Sequence, residues 1–318
     1  MASSMALPSF VRRQFKAAQS AGDLTFYSTQ VAVLSCYGLP FQIRFSPALA
    51  NKPKSNKSGA KKSVDPFETP QRGLFISNVG TSHYLVLNKF PIIPNHFILA
   101  TTEFKEQTDL LEEEDIGAAY ECLKAYRESG EELFGFFNSG DHSGASQPHR
   151  HIQFLPVESM HSGIEVGLTW NVLADKLTST KDLPFQYFVS AIPQDATPSH
   201  LHSLYVVMHE AACRISQEPR SASATAPIVL SETRRVSESP INYNLGLTDR
   251  VMVLFPRVSE GIGIETEEGK VVGPISINGT ILGGTLLVKS NDEWETLRSD
   301  PTKLKTILSA IGIQSTKN

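Results

Sequence analysis

Two histidines and a glutamine at alternate positions are the residues of this chain best suited to chemistry. His149, His151 and Gln153 belong to the stretch 146–154, which reads S-Q-P-H-R-H-I-Q-F. Alternate side chains of a β-strand share one face, so we expect these three to point into one site. Two imidazoles and an amide on one wall could bind a metal ion, or could attack and stabilise a phosphate.

The segment in front of the histidines favours phosphate. Residues 138–147 read N-S-G-D-H-S-G-A-S-Q, a small, polar and glycine-rich run. Such a loop offers backbone N–H groups and hydroxyls to an anion. A zinc site would instead require carboxylate or thiolate partners at ligand spacing. We therefore interpret the two segments as a phosphate site and expect no metal held by protein ligands.

A hairpin with a proline-bounded turn comes earlier in the chain. Residues 83–99 consist of two apolar runs separated by N-K-F-P-I-I-P-N, which predicts two antiparallel strands. The hairpin and the histidine stretch together resemble the histidine-triad superfamily, whose usual pattern is V-N-x-x-P-x-x-P-G-H followed by the histidine strand. Gln153 stands where the triad hydrolases carry a third histidine, and this indicates the transferase branch.

Two further segments narrow the resemblance. Residues 44–53 and 243–257 are similar to the fungal diadenosine tetraphosphate phosphorylases, also called ATP adenylyltransferases, and the likeness runs from about residue 20 to about residue 290. It implies an α+β fold, in which a histidine-triad-like antiparallel sheet with flanking helices is elaborated by a C-terminal α+β region. We expect residues 1–175 to form the catalytic region, with a basic loop at 50–64, and residues 176–318 to complete the nucleotide site. One continuous domain is the alternative.

The three residues of the histidine stretch receive different roles. His151 is the predicted nucleophile, because an imidazole attacks phosphorus through one nitrogen while the other donates to a backbone carbonyl. The middle position of the family's histidine strand is also the covalent residue. His149 is expected to buttress the strand, with plain packing as the alternative. Gln153 donates an N–H to a phosphate oxygen without moving a proton, and our hypothesis is that this amide holds the nucleotidyl intermediate for phosphate.

The resemblance also implies a set of substrate contacts. Lys52 is expected to meet a distal phosphate, the hairpin pair at 88–89 to meet ribose or phosphate, and the loop 138–147 to hold the polyphosphate. The substrate-binding residues so implied are Lys52, Asn88, Lys89, Asn138, Ser143, Gly144, Ala145, Ser146, Gln147, Asn278, Gly284 and Lys289.

Three positions depart from the family pattern. Val251 replaces a tryptophan, Thr285 replaces a methionine, and Asn95 replaces the usual hairpin glycine. These changes spare the reacting groups, but they leave open which nucleotide, or which length of polyphosphate, is preferred.

The remaining elements follow from periodicity and turn residues. We expect helices at 103–129 and 201–215, because their apolar residues recur every three or four positions. The resemblance implies a further helix around residues 8–20. Segments 24–35 and 41–45 are expected to be β-rich or mixed, and strands are expected at 73–79, 83–88, 96–101, 134–138, 150–156, 241–248, 250–256, 275–278 and 283–288.

Bulk composition limits the partners. The chain has 318 residues, 40% of them hydrophobic, and a net charge of −4, which gives no general reason to bind nucleic acid or a membrane. Three widely spaced cysteines fit reduced thiols of the cytosol better than a disulfide framework. We expect a cytoplasmic monomer, with the nucleus as a second location. The acid-free first 22 residues leave a mitochondrial presequence as a minor alternative.

The predicted reaction is reversible phosphorolysis of a dinucleoside tetraphosphate to ATP and ADP through a nucleotidyl-His151 intermediate. Inorganic phosphate is the second substrate, and magnesium is expected to arrive bound to the polyphosphate, since no dedicated carboxylate cluster is visible. The alternatives are a histidine-triad hydrolase, a sugar-1-phosphate uridylyltransferase and a nucleotide-binding protein without catalysis.

Overall fold

The computed structural model describes residues 6–49, 65–179, 183–217 and 235–315. Lys52 and the predicted basic loop 50–64 lie outside the described residues. The α-helices within the described ranges are α1 (Leu7–Ala21), α2 (Glu113–Glu128), α3 (Val157–Met160), α4 (Pro198–Gln217), α5 (Asn291–Ser299) and α6 (Thr302–Ile311). The strands are β1 (Gln30–Cys36), β2 (Leu39–Phe45), β3 (Phe75–Val79), β4 (His83–Leu87), β5 (Phe97–Thr101), β6 (Leu133–Ser139), β7 (His151–Pro156), β8 (Phe188–Ala191), β9 (Asn242–Leu247), β10 (Val251–Arg257), β11 (Gly261–Glu265), β12 (Val271–Ser276) and β13 (Thr285–Val288).

One eight-stranded sheet carries the histidine strand near its centre. Its order is β3-β4-β5-β7-β6-β9-β10-β8, and every neighbouring pair is antiparallel. Strand β7 lies between β5 and β6, with His151 opposite Ala100 and Gln153 opposite Ile98 on β5. The predicted α+β fold with an antiparallel sheet is confirmed. Strands from both halves of the sequence share this sheet, and the division at residue 175 stays a prediction.

A second sheet brings the C-terminal part of the chain to the N-terminal part. Strand β13 runs parallel to β2, which pairs in turn with β1. Strands β11 and β12 form a separate two-stranded sheet. The short 3-10 helix Gly279–Gly283 precedes β13. These long-range pairings place residues 276–289 beside the large sheet.

The two faces of the large sheet are covered differently. Ile152 and Phe154 of β7 pack in one core cluster with residues of α1, α2 and α4. Leu155 packs in a second cluster with residues of α5, α6 and the 3-10 helix before β13. Arg150 reaches toward α2, where it donates to Asp115 at 2.7 Å. The predicted alternation of side chains along the histidine strand is therefore observed.

The central helix α2 begins later than the sequence analysis predicted. The prediction of a helix from 103 was wrong, because α2 starts at Glu113, after a capping box formed by Glu112 and Asp115. The residues before it bind the histidine strand instead, since Glu106 forms a β-bridge with His149. Gln107 completes this contact, because its side-chain oxygen accepts from the backbone N–H of His151 at 2.7 Å.

Elements near the C-terminus were placed less well. The strand predicted at 275–278 lies at Val271–Ser276, and the first residues of the predicted strand 283–288 belong to the 3-10 helix and its end. Strands β8 and β11 and helices α5 and α6 had not been predicted. Strand β8 is four residues long, and two of the five residues of β11 are interior or leading glycines, which are depleted in strands. No described helix is long and apolar enough to cross a membrane.

Candidate active site

The geometry around His151 suits a nucleophile. Its Nδ1 lies 2.8 Å from the backbone carbonyl of His149, an acceptor, so Nδ1 carries the proton. The lone pair is then on Nε2, which makes no hydrogen bond to any described residue. Burial lowers the pKa of His151 from 6.5 to about 4, against the raising effect of the hydrogen bond to His149. The imidazole is therefore neutral near pH 7, as an attacking nitrogen requires.

A short chain of hydrogen bonds orients Gln153. Asn88 Oδ1 accepts from the backbone of Phe90 at 2.9 Å, so its Nδ2 is the atom that donates to His96 Nδ1 at 3.0 Å. His96 then carries its proton on Nε2 and donates to Gln153 Oε1 at 3.1 Å. Burial lowers the pKa of His96 to about 4, which keeps this ring neutral. The amide oxygen of Gln153 is occupied, and its amide N–H₂ remains to meet a phosphate.

His96 is a site residue that the sequence analysis missed. The signal was available, since the hairpin pattern of the family ends in a histidine at this position. The preceding Asn95 has a φ of 61°, in the left-handed region that asparagine tolerates better than most residues. Asparagine can therefore replace the usual hairpin glycine while the turn still delivers His96 to the site.

His149 is held by protein groups on both sides. Its Nδ1 lies 2.6 Å from a carboxylate oxygen of Asp65, and its Nε2 lies 2.8 Å from the carbonyl of Thr101. Both ring nitrogens are therefore within hydrogen-bond distance of an acceptor oxygen of the protein. Phe67 packs over the rings of both His149 and His151, with centroids at 5.7 and 5.0 Å. These contacts fit the predicted role of buttressing the strand and leave His149 no nitrogen for attack.

The polar loop packs directly against the segment before β13. Gly144 has a φ of 78°, and a Cβ at this position would lie 2.7 Å from Asn278 Cβ. Glycine is therefore required at position 144, because the backbone has a positive φ there and passes too close to Asn278 for any side chain. Ser143 is buried and donates to the carbonyl of Gly140 at 2.6 Å, so its hydroxyl maintains the loop. The residues after it, Gly144, Ala145 and Ser146, face the cavity.

The cavity beside the histidine strand has a volume of about 480 Å³. This size is within the range of small-molecule sites, which combine apolar walls with a few polar groups. The apolar lining consists of Phe90, Ile92, Ile93, Phe136, Leu155, Ile277, Leu286 and Leu287. The polar lining includes Asn88, His96, Ser146, Gln153, Glu260, Ser276, Asn278, Thr280, Thr285 and Lys289. Apolar walls suit a nucleobase, and the donors at one side suit a phosphate.

Six of the twelve predicted substrate-binding residues line this cavity, five do not, and Lys52 lies outside the described residues. Those that line it are Asn88, Gly144, Ala145, Ser146, Asn278 and Lys289, together with Gln153. Those outside its lining are Lys89, Asn138, Ser143, Gln147 and Gly284. The buried rings of His149 and His151 also lie outside the lining, so Gln153 is the polar residue through which the histidine strand faces the cavity.

The residues outside the lining have other contacts. Gly284 has a φ of 70° and its carbonyl accepts from Trp170, so it turns the chain into β13. Lys89 is exposed and lies 3.3 Å from Gln71 Oε1. Asn138 is buried, and its Oδ1 accepts from the backbone of Gly279 at 2.8 Å. The substrate contacts of Lys89, Asn138 and Gly284 therefore stay predictions, and the structure adds these contacts within the protein to them.

The described residues contain no group of three or more His, Cys, Asp or Glu side chains that could hold a metal ion. Glu260, at the edge of the cavity, is a single carboxylate that the sequence analysis had not noted.

The fold and the site together define a member of the histidine-triad superfamily in its transferase form. The family model for the Ap4A phosphorylase N-terminal domain matches residues 1–173, and that for the ATP adenylyltransferase C-terminal domain matches residues 181–314. The chain therefore belongs to the Ap4A phosphorylase family, as the resemblance implied.

Individual relatives agree with this assignment. The chain is 28% identical over 292 residues to diadenosine 5′,5′′′-P1,P4-tetraphosphate phosphorylase 2 of Saccharomyces cerevisiae, covering 87% of this chain and 84% of that protein. It is 28% identical over 328 residues to Protein APA1 of the same yeast, covering 98% and 95%. The crystal structure of yeast Ap4A phosphorylase Apa2 has the same fold, with a TM-score of 0.77 at 24% identity and 99% of both chains covered. A second structure of Apa2, in complex with Ap4A, has a TM-score of 0.75 at the same identity and coverage.

Proposed function

We propose that this protein cleaves diadenosine tetraphosphate by phosphorolysis to ATP and ADP. Membership of the family supports the substrate class. The observation that carries the mechanism is the orientation of His151, whose Nδ1–H is held by a carbonyl while its Nε2 lone pair remains for attack. A neutral, fixed imidazole next to a loop of anion donors is the arrangement that covalent nucleotidyl transfer requires.

The reaction has two displacements. Nε2 of His151 attacks one α-phosphorus, a P–N bond forms, and the P–O bond to the rest of the substrate breaks, so ATP leaves. Inorganic phosphate then attacks the same phosphorus, the P–N bond breaks, and the adenylyl group leaves as ADP with His151 restored. Both steps run in reverse when ATP and ADP are supplied.

Gln153 and the loop stabilise the charge that develops in each step. The amide N–H₂ of Gln153 donates to a phosphate oxygen and has no proton to lose, so it stabilises the intermediate without activating water. The loop 144–146 also lines the cavity, where the backbone N–H groups of Gly144 and Ser146 are the proposed fixed donors, while that of Ala145 donates to Ser143 Oγ at 3.3 Å. Replacement of Gln153 by His tests this role, and an unchanged rate of hydrolysis of the intermediate would count against it.

Lys52, magnesium and the assembly state complete the proposal. Lys52 would meet a distal phosphate as a point charge. Magnesium would enter bound to the polyphosphate and lower its charge, since magnesium commonly binds through substrate phosphates. We also propose that the protein acts as a monomer in the cytoplasm, with the nucleus as a further location.

One incubation separates the candidate functions. Purified protein is mixed with diadenosine tetraphosphate, with and without inorganic phosphate, and the nucleotides are separated. The proposal predicts equal amounts of ATP and ADP, formed only when phosphate is present. Two ADP, or ATP plus AMP, formed without phosphate would identify a hydrolase. Tight binding without turnover would identify a nucleotide-binding protein.

A further inference from the structure

Arg257, the last residue of β10, is a buried cation whose described partners are all neutral. It is 1% exposed. Its Nε donates to the carbonyl of Ile311 at 3.1 Å, and Nη2 donates to the carbonyls of Ser259 at 2.9 Å and Ile277 at 2.9 Å. Its Nη1 donates to the side-chain oxygen of Asn244. No described carboxylate forms an ion pair with it.

These bonds reach two segments that contribute residues to the cavity lining, the loop 143–146 and the segment 277–279. Asn244 Nδ2 donates to the carbonyl of Ser143 at 2.9 Å, directly before the donor loop 144–146. The same Nδ2 donates at 2.9 Å to Asn138 Oδ1, which also accepts from the backbone of Gly279. On the other side, Nη2 of Arg257 holds the carbonyl of Ile277, next to Asn278. The two segments are in contact where Gly144 meets Asn278.

The charge of Arg257 is unbalanced inside the protein. A buried charge is costly unless it is paired. Burial lowers the pKa of Arg257 to about 9, and Glu260 is the one acid that opposes this effect. Glu260 is exposed, so solvent screens most of its attraction. A positive charge is thus fixed beneath the loop that faces the cavity.

We propose that Arg257 is a positioning residue for the polyphosphate. The side chain of Arg257 holds the loop 143–146 and the segment 277–279 in fixed positions relative to each other, and the negative charge of the substrate balances its buried positive charge. The proposal rests on the proposed function, because a polyphosphate is the anion it requires. Arg257 does not touch the phosphates, since its donors are used within the protein. The positive charge of Arg257 attracts the ligand across the loop, so its contribution to the binding affinity grows with the negative charge of the ligand.

The chain offers a matched control in Arg44. This second buried arginine is 2% exposed and also lacks a carboxylate partner among the described residues. It donates to Thr29 Oγ1 at 3.0 Å and to the carbonyls of Met160 and Ser162. None of these partners lines the cavity. Burial lowers the pKa of Arg44 to about 10, so burying the charge of Arg44 is unfavourable for the same reason as burying that of Arg257.

The experiment measures dissociation constants by calorimetry for AMP, ATP and inorganic tripolyphosphate. In Arg257→Met we expect affinity for ATP and tripolyphosphate to fall about tenfold or more, the effect of losing one unit charge near a polyanion, and affinity for AMP to fall less. Arg44→Met should lower the thermal midpoint and leave the ratio of AMP to ATP affinity unchanged. Arg257→Lys retains the charge without the fork of donors, so it should keep most of that ratio while kcat falls.

The outcomes separate this proposal from the proposed function. Equal weakening of AMP and ATP by Arg257→Met, or the same change of ratio in Arg44→Met, would overturn the role of the charge. If Arg257→Met does not fold, loss of the ATP preference in Arg257→Lys would overturn it instead. Binding is measured without turnover, so absence of phosphorolysis in the wild-type protein would refute the proposed function independently.

Discussion

The cavity has two walls that are built in different ways. One wall is the histidine strand with the hairpin that ends at His96, and its hydrogen bonds join residues of two adjacent strands and one turn. The other is the segment 276–289 with Arg257 behind it. This segment is attached to the large sheet by a contact between distant parts of the chain, in which the backbone of Gly279 donates to Asn138 Oδ1. The first wall contributes Gln153 and His96 to the lining, and its strand also carries His151, whose buried ring lies outside the lining. The second shapes the space that the nucleotide must fill.

This difference explains where the chain departs from its family. Along the first wall the substitution of Asn95 for glycine preserves the turn, because asparagine adopts the left-handed backbone that the turn requires. Along the second wall Thr285 replaces methionine and lines the cavity itself. The chemistry is therefore expected to match that of the family, and the nucleotide preference is expected to be the property that has changed.

The largest expected effect concerns the first wall. His151→Ala should lower kcat by a factor on the order of 10⁴ or more, because loss of a covalent nucleophile removes the whole two-step route. Binding of AMP should change little. The matched control is His209→Ala, which removes another buried histidine, one that donates to or accepts from Ser239 Oγ at 2.9 Å outside the site. That variant should lose stability and keep its kcat. A tenth of the wild-type rate in His151→Ala would assign the nucleophile to another residue.

A smaller effect is expected from the hydrogen-bond chain behind Gln153. His96→Ala removes the donor that fixes Gln153 Oε1, so the amide is free to turn its oxygen toward the phosphate. We expect kcat to fall by roughly 10²-fold, the usual cost of losing one oriented donor, with KM nearly constant. Steady-state kinetics with both substrates measures this. A change confined to KM would show that His96 only shapes the cavity.

The pH dependence should reflect the buried histidines. Burial lowers the pKa of His151 and of His96 to about 4, below the usual 6.5. The nucleophile therefore stays neutral in weak acid, and the acid limb of kcat/KM should lie below pH 6. The free energy of unfolding should also decrease as the pH falls. Between pH 6.5 and 4 these two histidines bind more protons in the unfolded chain than in the folded one, so protonation favours unfolding. Rates measured from pH 4.5 to 8, with circular dichroism at each pH, test this. A midpoint at 6.5 would contradict it.

The smallest effect is expected on the second wall. Thr285 Oγ1 is buried and has no hydrogen-bond partner among the described residues. Thr285→Val removes this hydroxyl at nearly constant volume and should stabilise the free protein by about 1 kcal/mol, with kcat unchanged. Thr285→Met restores the family residue, so it should alter the relative KM of different dinucleoside polyphosphates. Denaturant unfolding and competition assays measure the two effects. A clear loss of stability in Thr285→Val would show that the hydroxyl has a partner.

The sequence was sufficient for the first wall because its information is local. Alternate spacing in a strand placed His151 and Gln153 on one face, and the polar loop was recognised by composition. The start of α2 was misjudged, because the apolar Leu110 and Leu111 continue the helical spacing although the capping box begins only at Glu112. The role of His96 needed the side-chain bonds to Asn88 and Gln153.

The second wall could not be derived in the same way. Nothing in the sequence near Arg257 indicates that its side chain reaches Asn244 and Ile277, since these contacts depend on how β10 packs against a distant segment. Gly284 matched the family motif, yet its function is conformational, because its left-handed backbone turns the chain into β13. The family motif thus selected the candidate site residues, and the tertiary packing determined which of them line the cavity.

The central claim is that His151 carries the nucleotidyl group, and trapping that group tests it most directly. Protein is mixed with diadenosine tetraphosphate labelled at the α-phosphorus and denatured within milliseconds. A phosphoramidate on histidine is lost in acid and survives in base, so the account predicts label that is base-stable, acid-labile, absent from His151→Ala, and discharged as ADP by inorganic phosphate. Phosphorolysis at the full rate with no trapped label would contradict the account, because phosphate would then displace ATP directly.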